Sequence, residues 1–167
     1  MDIVIEKARP ADAEELLAHL RIIGGETDNV TFGAEGMPFT VEQEEKFLRS
    51  LENAPKSVLY VAKVDGIIIG DVSLSGSPRE RIAHRASLGI SVQKKYWNLG
   101  IGSRLISAII EFAKSADIEI IELSVRSDNP AAIHLYEKFG FRVIGEFPGM
   151  LKVRGENVDG TLMNLYL

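Results

Sequence analysis

The sequence lacks cysteine altogether, and this absence removes several kinds of chemistry at once. Without thiols the chain can form no disulfide, no thiolate metal site and no cysteine nucleophile. It also lacks a long apolar run, because the longest is about five residues around 66–70 and a membrane span needs roughly 20. The first residues, Met1 to Glu6, do not have the basic and then apolar layout of a signal peptide. We therefore expect a cytoplasmic protein that enters no membrane.

Positive charge is also scarce. The 19 lysines and arginines are outnumbered by 24 acidic residues, which gives a net charge of −5. Nucleic-acid binding relies on basic surface, so this balance argues against a nucleic-acid partner. The same balance could attract a small cationic molecule. With 167 residues, 46% of them hydrophobic and 26% charged, the chain is expected to form one globular domain over 1–167.

What the sequence does contain is a regular series of strand and helix patterns in the order β-α-α-β-β-β-α-β-α-β-β. A helix starts at Pro10 and is expected to end at Gly24-Gly25. Thr40 and Gln43 resemble a capping box, and Asp65-Gly66 predicts a hairpin. Strands are predicted at 2–8, 57–64, 67–75, 84–92, 118–125, 141–147 and 161–167, and the later helices at 40–51, 101–112 and 130–139.

The strand-helix-strand unit over 84–125 predicts a parallel pair with a right-handed crossover, whereas most other neighbouring strands should be antiparallel. The fold class is therefore α/β in the α+β sense. We expect a mixed, mostly antiparallel sheet of about seven strands with helices on both faces.

The segment 90–105 has a strand, a loop and then a helix that begins on Gly100 and Gly102. A helix N-terminus offers unpaired N–H groups and partial positive charge, which suit a phosphate. Close helix packing would explain the two glycines equally well. A dinucleotide fingerprint needs a third glycine where Leu105 stands, and no P-loop lysine follows, so a nucleotide-dependent oxidoreductase is a distant alternative.

The segment 123–141 is again a strand, a loop and a helix. Asn129 can cap this helix, with Pro130 at its first position. Tyr136 follows seven residues after Asn129 and so lies on about the same side of the helix. The apolar residues Ile133, Leu135 and Phe139 are expected to anchor the helix in the core.

Together these two segments resemble the coenzyme-binding motif and the following strand-helix motif of the GNAT N-acetyltransferases. The family pattern Gln/Arg-x-x-Gly-x-Gly/Ala is met by Gly100 and Gly102, although Trp97 stands where Gln or Arg is usual. The block Asn-x-x-Ala-x-x-x-Tyr-x-x-x-Gly-Phe is met in full by Asn129, Ala132, Tyr136, Gly140 and Phe141. The order of elements matches the family over nearly the whole chain.

The resemblance implies acetyl-coenzyme A (acetyl-CoA) as cosubstrate, no metal, and a sheet that splays between its fourth and fifth strands. The pantetheine arm would pair with the fourth strand, and amides of the loop and helix start would bind the pyrophosphate. Tyr136 would be the general acid that protonates the departing thiolate. The residues implied to bind the coenzyme are Ile90, Ser91, Val92, Trp97, Asn98, Leu99, Gly100, Ile101, Gly102, Ser103, Asn129 and Tyr136.

The general base is left open. Many relatives use a carboxylate on one of the two splayed strands, but here Ala86 and Ser124 occupy the usual places. Glu122, two residues before Ser124, could act through a water molecule. Glu26 and Asp28, in the loop after the first helix, are alternative carboxylates on the substrate side, and His84 is a weaker candidate.

The expected function is direct acetyl transfer to a primary amine, with no enzyme nucleophile. Small acceptors are favoured: a polyamine, an amino acid or an aminoglycoside-like molecule. Protein amino groups stay open, and so does a regulatory module that binds the coenzyme without catalysis, since no base is evident. The acceptor pocket is expected in the loops 25–39 and 76–83, and family analogy allows a homodimer.

Overall fold

The computed structural model describes residues 1–167. Seven strands and four helices follow one another in the predicted order. The elements are β1 (Ile3–Lys7), α1 (Ala13–Glu26), α2 (Val41–Leu51), β2 (Val58–Val64), β3 (Ile67–Gly76), β4 (Arg85–Val92), α3 (Ile101–Ser115), β5 (Ile120–Arg126), α4 (Pro130–Lys138), β6 (Arg142–Val153) and β7 (Glu156–Tyr166).

All seven strands form one sheet in the order β1-β2-β3-β4-β5-β7-β6. Only β4 and β5 are parallel, as the strand-helix-strand pattern predicts. These two strands pair from Arg85 with Ile120 to Ser87 with Glu122 and no further. The mixed sheet and the opening between its fourth and fifth strands are therefore confirmed.

The two faces of the sheet have separate apolar cores. Leu59 and Val61 of β2 pack with α1 and α2 on one face, here called the α1/α2 face. Val58 and Ala62 point to the opposite face, where α3 and α4 cover the larger core. This alternation follows from the two-residue period of a strand, and each fully buried aliphatic side chain contributes about 1.5–3 kcal/mol. Helices therefore lie on both faces, as predicted.

Two predicted local structures are confirmed. The Thr40 hydroxyl accepts a hydrogen bond from the Gln43 N–H (3.2 Å), and the Gln43 side chain accepts one from the Thr40 N–H (2.9 Å). Asp65 and Gly66 both have positive φ, at 49° and 82°, in the hairpin between β2 and β3. Such a turn matches the twist of the flanking strands. None of the helices is both long and apolar enough to cross a membrane.

The predicted end of α1 at Gly24-Gly25 is wrong, because the helix continues to Glu26. Gly24 has a different role. A Cβ built on it would lie 1.8 Å from the carbonyl oxygen of Gly33, so the backbone after the helix packs directly against it. A Cβ on Gly25 would meet only Ala34 Cβ, at an ordinary 3.6 Å. Close approach of two backbones, and not helix termination, accounts for Gly24.

The last two strands are longer than the patterns 141–147 and 161–167 predict. They extend towards each other until a tight turn at Arg154 and Gly155, both with positive φ, joins them. The alternation in β6 is broken by two register shifts, and Pro148 stands inside the strand. Proline is tolerated there because β6 is the edge of the sheet, and the irregularity hides the strand from pattern analysis.

The two adjacent glycines of α1 allow a matched test of this packing. We expect Gly24→Ala to lower the free energy of unfolding by about 1–3 kcal/mol, because its methyl group would displace the Gly33 backbone. Gly25→Ala should instead raise stability, by up to about 1 kcal/mol, since alanine favours the helix. Urea unfolding of both variants measures the difference, and equal effects would contradict the packing argument.

Candidate active site

A cavity of about 760 Å³ opens where β4 and β5 separate. On the α1/α2 face it is lined by Asp71 and Ser73 of β3 and, after α1, by Thr27 and residues 29–32. On the opposite face it is lined by the start of α3 and by Leu135 of α4. The cavity therefore passes through the sheet, and it joins two surfaces that a continuous sheet would keep apart.

The free edge of β4 carries unpaired backbone groups along this cavity. The Gln93 N–H donates to the Ile69 carbonyl of β3 (2.9 Å). Backbone groups alternate between the two edges of a strand, so those of Ile90 and Val92 point away from β3 and into the gap. The Val92 carbonyl accepts from Trp97 Nε1 (2.7 Å). The Ile90 N–H and C=O and the Val92 N–H thus form an open edge to which an extended chain can pair.

The N-terminus of α3 lies on the same cavity and has no side-chain cap. Its first intrahelical bond runs from the Arg104 N–H to the Gly100 carbonyl (3.1 Å), so the amides of residues 101–103 have no acceptor in the helix. In α2 and α4, by contrast, Thr40 and Asn129 cap the first turn. Three uncapped amides and the helix dipole make an anion-binding site.

The loop before α3 has two residues with left-handed backbone, Asn98 (φ 62°) and Gly100 (φ 76°). Glycine avoids the steric cost that any other side chain has at the second position. A Cβ on Gly102 would lie 3.2 Å from Leu135 Cδ2, so this glycine permits close packing of α3 on α4. The Arg104 guanidinium is directed to β1, where it donates to the Ile3 carbonyl (2.8 Å), and Arg104 does not line the cavity.

Tyr136 and Asn129 of α4 reach the cavity from the α3/α4 side. Asn129 Oδ1 accepts from the Ala132 N–H (3.3 Å), so the predicted helix cap is confirmed. Tyr136 is 8% exposed, and its ring packs on Phe141 with centroids 5.7 Å apart. Burial raises the pKa of the Tyr136 phenol to about 12, so the group is protonated at every physiological pH.

The structure brings nearly all of the expected coenzyme residues together. Leu99 is the exception, since its side chain is exposed and lies outside the cavity lining. Ser91 lines the cavity, but its hydroxyl points to the α1/α2 face and donates to Asp71. The others on this surface are Ile90, Val92, Trp97, Asn98, Gly100, Ile101, Gly102, Ser103, Asn129 and Tyr136.

The structure does not bring Glu122 to the cavity. Glu122 is the last residue of β5 that pairs with β4, where the sheet is still closed. Its carboxylate is held by Arg85, with Nη1 and Oε1 2.6 Å apart. His84 also lies at this closed end, where its carbonyl accepts from the amides of Glu119 and Ile120.

Glu26 and Asp28 lie at a second, wholly polar pocket of about 470 Å³. Glu26 Oε2 accepts from the Lys94 N–H (2.8 Å). Asp28 binds Arg154 through its carboxylate (2.9 Å) and Arg126 through its carbonyl (3.3 Å). These contacts tie the segment after α1 to β5 and to the β6–β7 hairpin, and neither carboxylate lines the larger cavity.

A polar cluster that the sequence analysis missed borders the cavity on the α1/α2 face. His19 Nε2 lies 3.1 Å from Asp71 Oδ1 and 3.2 Å from Ser91 Oγ, and His19 Nδ1 lies 3.0 Å from Gln93 Nε2. Glu44 of α2 is buried nearby; burial raises its pKa, and the charge of Asp71 raises it further. The sequence feature that indicates this cluster is a polar residue at an apolar position: His19 lies on the apolar stripe of α1, and Asp71 interrupts an apolar strand.

Comparison with known proteins agrees with this geometry. Residues 30–141 match the family model described as the acetyltransferase (GNAT) family. The L-amino acid N-acetyltransferase AaaT of Escherichia coli (strain K12) is 33% identical over 114 residues, which cover 68% of this chain and 70% of AaaT.

Solved structures share the whole fold. An acetyltransferase of the GNAT family from Streptococcus pneumoniae has a TM-score of 0.96 at 33% identity, covering 99% of this chain and all of that one. YncA from Salmonella typhimurium, solved with its cofactor acetyl-CoA, has a TM-score of 0.85 at 19% identity, covering 99% of this chain and 94% of YncA. The chain therefore belongs to the GNAT family and is an N-acetyltransferase.

Proposed function

We propose that this protein transfers the acetyl group of acetyl-CoA directly to the primary amine of a small molecule, with an L-amino acid as the first candidate. The observation that carries the proposal is the cavity through the sheet, which has an open β4 edge and an uncapped helix on one side and a separate pocket on the other. The similarity to AaaT favours an amino acid as acceptor.

The residues around the cavity fit the coenzyme part by part. The amides of residues 101–103 would hold the pyrophosphate at the start of α3. The free groups of Ile90 and Val92 would pair with the amides of the pantetheine arm, as an added strand does. Asn129 borders the same gap from α4. The acetyl thioester would then lie inside the sheet, between the two faces.

The size of the cavity favours a small acceptor. Its 760 Å³ must hold the pantetheine arm as well as the acceptor. Leu20 and Ile23 of α1 and Phe32 form the apolar part of the pocket on the α1/α2 face, beside polar side chains of the loop after α1. A single amino acid fits the remaining volume and this mixed lining better than an extended polypeptide does.

In the proposed reaction the amine nitrogen attacks the thioester carbonyl, a C–N bond forms and the C–S bond breaks. The leaving thiolate then needs a proton, and Tyr136 is the proposed donor. A thiol in water has a pKa near 8.5, well below that of the buried phenol. Burial raises the pKa of a thiol as it raises that of a phenol, so inside the sheet the transfer would be less unfavourable than the values in water suggest.

Thiol release from acetyl-CoA in the presence of different amines tests the proposed function. We expect acceptor-dependent release with one or more L-amino acids, and at least tenfold lower kcat/KM with polyamines, aminoglycosides and peptides that offer a free N-terminus. Mass spectrometry should show the product 42 Da heavier, the mass of one acetyl group replacing hydrogen. Coenzyme binding without release for any amine would instead favour a regulatory module.

The anion site at α3 is tested by adding negative charge there. Ser103→Asp should weaken coenzyme A binding at least tenfold, because its carboxylate would cap the free amides and repel the pyrophosphate. Ser107→Asp, one turn further and exposed, is the matched control and should change binding less than threefold. Calorimetric titration with coenzyme A measures both, and equal effects would place the pyrophosphate elsewhere.

Tyr136→Phe removes the phenol but keeps the ring that packs on Phe141. We expect kcat to fall by about 100-fold, in the range of a lost general acid, while the affinity for coenzyme A changes less than threefold. Steady-state kinetics with calorimetry separates the two quantities. An unchanged kcat would show that Tyr136 is a packing residue.

A further inference from the structure

The polar cluster of His19, Asp71, Ser91 and Gln93, here called the Asp71 cluster, has a definite arrangement of protons. The Gln93 side-chain nitrogen donates to the Ile68 carbonyl (3.0 Å), which can only accept, so the nitrogen end of this amide is fixed. The same nitrogen lies 3.0 Å from His19 Nδ1, which must therefore be an acceptor. The proton of the neutral imidazole is then on Nε2, directed at Asp71.

His19 is therefore a hydrogen-bond donor to Asp71 and has no free nitrogen to act as a base. Its side chain is fully buried between α1 and the sheet. Asp71 Oδ1 accepts from His19 Nε2 and from the Ser91 hydroxyl. The second carboxylate oxygen, Oδ2, receives no hydrogen bond from another side chain and is left for a ligand.

Asp71 also lacks a cationic partner. Its side chain is 14% exposed and lines the cavity, yet no lysine or arginine forms an ion pair with it. Glu44 adds a second acidic group close by. A nearly buried carboxylate without a counter-ion is costly unless a ligand supplies one. The surroundings of Asp71 thus select for a cation that enters the cavity.

The position of Asp71 suits the amine of the acceptor. Asp71 pairs with Ser91, next to Ile90, whose backbone groups face the gap. Neighbouring strands are about 4.8 Å apart and β4 lies between β3 and the gap, so the backbone of Asp71 is two strand spacings, roughly 10 Å, from the proposed path of the pantetheine arm. It faces the α1/α2 side, where the acceptor is proposed to enter. Glu122, by contrast, is neutralised by Arg85 outside the cavity.

We propose that Asp71 binds the primary ammonium of the acceptor and takes its first proton, and that His19 and Ser91 position the Asp71 carboxylate. This inference rests on the proposed acetyl transfer. The ammonium gives one proton to Asp71, and the neutral nitrogen bonds to the thioester carbon as the C–S bond breaks. A second proton leaves the nitrogen and balances the one that the departing sulfur receives. The products are the amide, the free thiol and one proton that Asp71 returns to solvent.

The central experiment compares Asp71→Asn with the wild type, using the amino acid that gives the highest kcat/KM. The substitution keeps the shape of the side chain and its ability to accept from His19, but it removes the charge. We expect kcat/KM for the acceptor to fall at least 100-fold, while the affinity for coenzyme A changes less than twofold. Glu45→Gln, which removes an exposed charge from α2 beside Glu44, is the control and should keep both values.

The pH dependence separates a base from a merely structural residue. The titratable groups that face Asp71 are His19 from α1 and Glu44 from α2, whereas β4 contributes only the Ser91 hydroxyl and the Gln93 amide. The residual rate of Asp71→Asn should rise about tenfold per pH unit up to the pKa of the acceptor amine, because solvent must then remove the proton. A flat profile parallel to that of the wild type would overturn the proposal.

His19 is tested by a conservative and a disruptive variant. His19→Gln can still present an N–H near the place of Nε2 and should retain kcat/KM for the acceptor within about fivefold. His19→Leu removes the donor and should lower kcat/KM at least 20-fold, with unchanged coenzyme affinity. Equal activity of the two variants would remove the positioning role of His19.

The outcomes also separate this inference from the proposed function. If the wild type releases no thiol with any amine, the proposed function fails, and with it the ground for this inference. If the wild type is active and Asp71→Asn is as active, only the inference fails.

If Asp71→Asn does not bind coenzyme A, the Ser91→Ala variant is measured in its place. A three- to tenfold loss of kcat/KM for the acceptor, with unchanged coenzyme affinity, supports the role of Asp71, and no loss overturns it. A severe loss in Glu122→Gln with an active Asp71→Asn would overturn it too.

Discussion

β4 and β5 are hydrogen-bonded over three residue pairs only, and the site depends on the point where this pairing ends. Before it, Arg85 and Glu122 close the sheet with an ion pair. Beyond it, the two strands are held apart by the elements around them, because α3 packs on β2, β3 and β4 while β5 pairs along its whole length with β7. The gap is thus a fixed feature of the core, and the free edge of β4 is available without any rearrangement.

The position of the segment after α1 depends on the close contact between the backbones of Gly24 and Gly33. Gly24 lets the chain around Gly33 lie directly on the helix, and this contact places Phe32 at the cavity. Glu26 and Asp28 hold the same segment to Lys94, Arg126 and Arg154. Glu26 and Asp28, which the sequence suggested as substrate ligands, therefore support the wall of the proposed acceptor pocket without lining it. A charged loop residue near a site can position the loop without facing the ligand.

The sequence predicted most of the fold, because strand and helix periodicities are local and strong in this chain. The capping box at Thr40, the hairpin at Asp65-Gly66 and the parallel pair all depend on short-range patterns. The end of α1 and the length of β6 were mispredicted for long-range reasons. Gly24 is required by its contact with Gly33, which is nine residues away and outside the helix. β6 stays paired with β7 despite Pro148.

The candidate residues of the coenzyme site could be proposed from two linear motifs, since each motif lies on one strand-loop-helix unit. The Asp71 cluster has no such motif. His19, Asp71 and Ser91 are separated by 52 and 20 residues along the chain, and only the packing of α1 across β3 and β4 brings them together. Glu122 seemed suitable from its place on β5, but whether it faces the cavity depends on Arg85 and on where the pairing ends.

β4 links the two halves of the proposed reaction through the alternation of a single strand. Its even residues, Ile90 and Val92, direct backbone groups into the gap, whereas the Ser91 side chain points to the α1/α2 face and contacts Asp71. The Gln93 side chain then fixes His19, and the Gln93 N–H anchors this end of β4 to β3. In the proposed reaction, the strand that orients the thioester also sets the position of the group that receives the amine, so the geometry of attack is fixed by one rigid element.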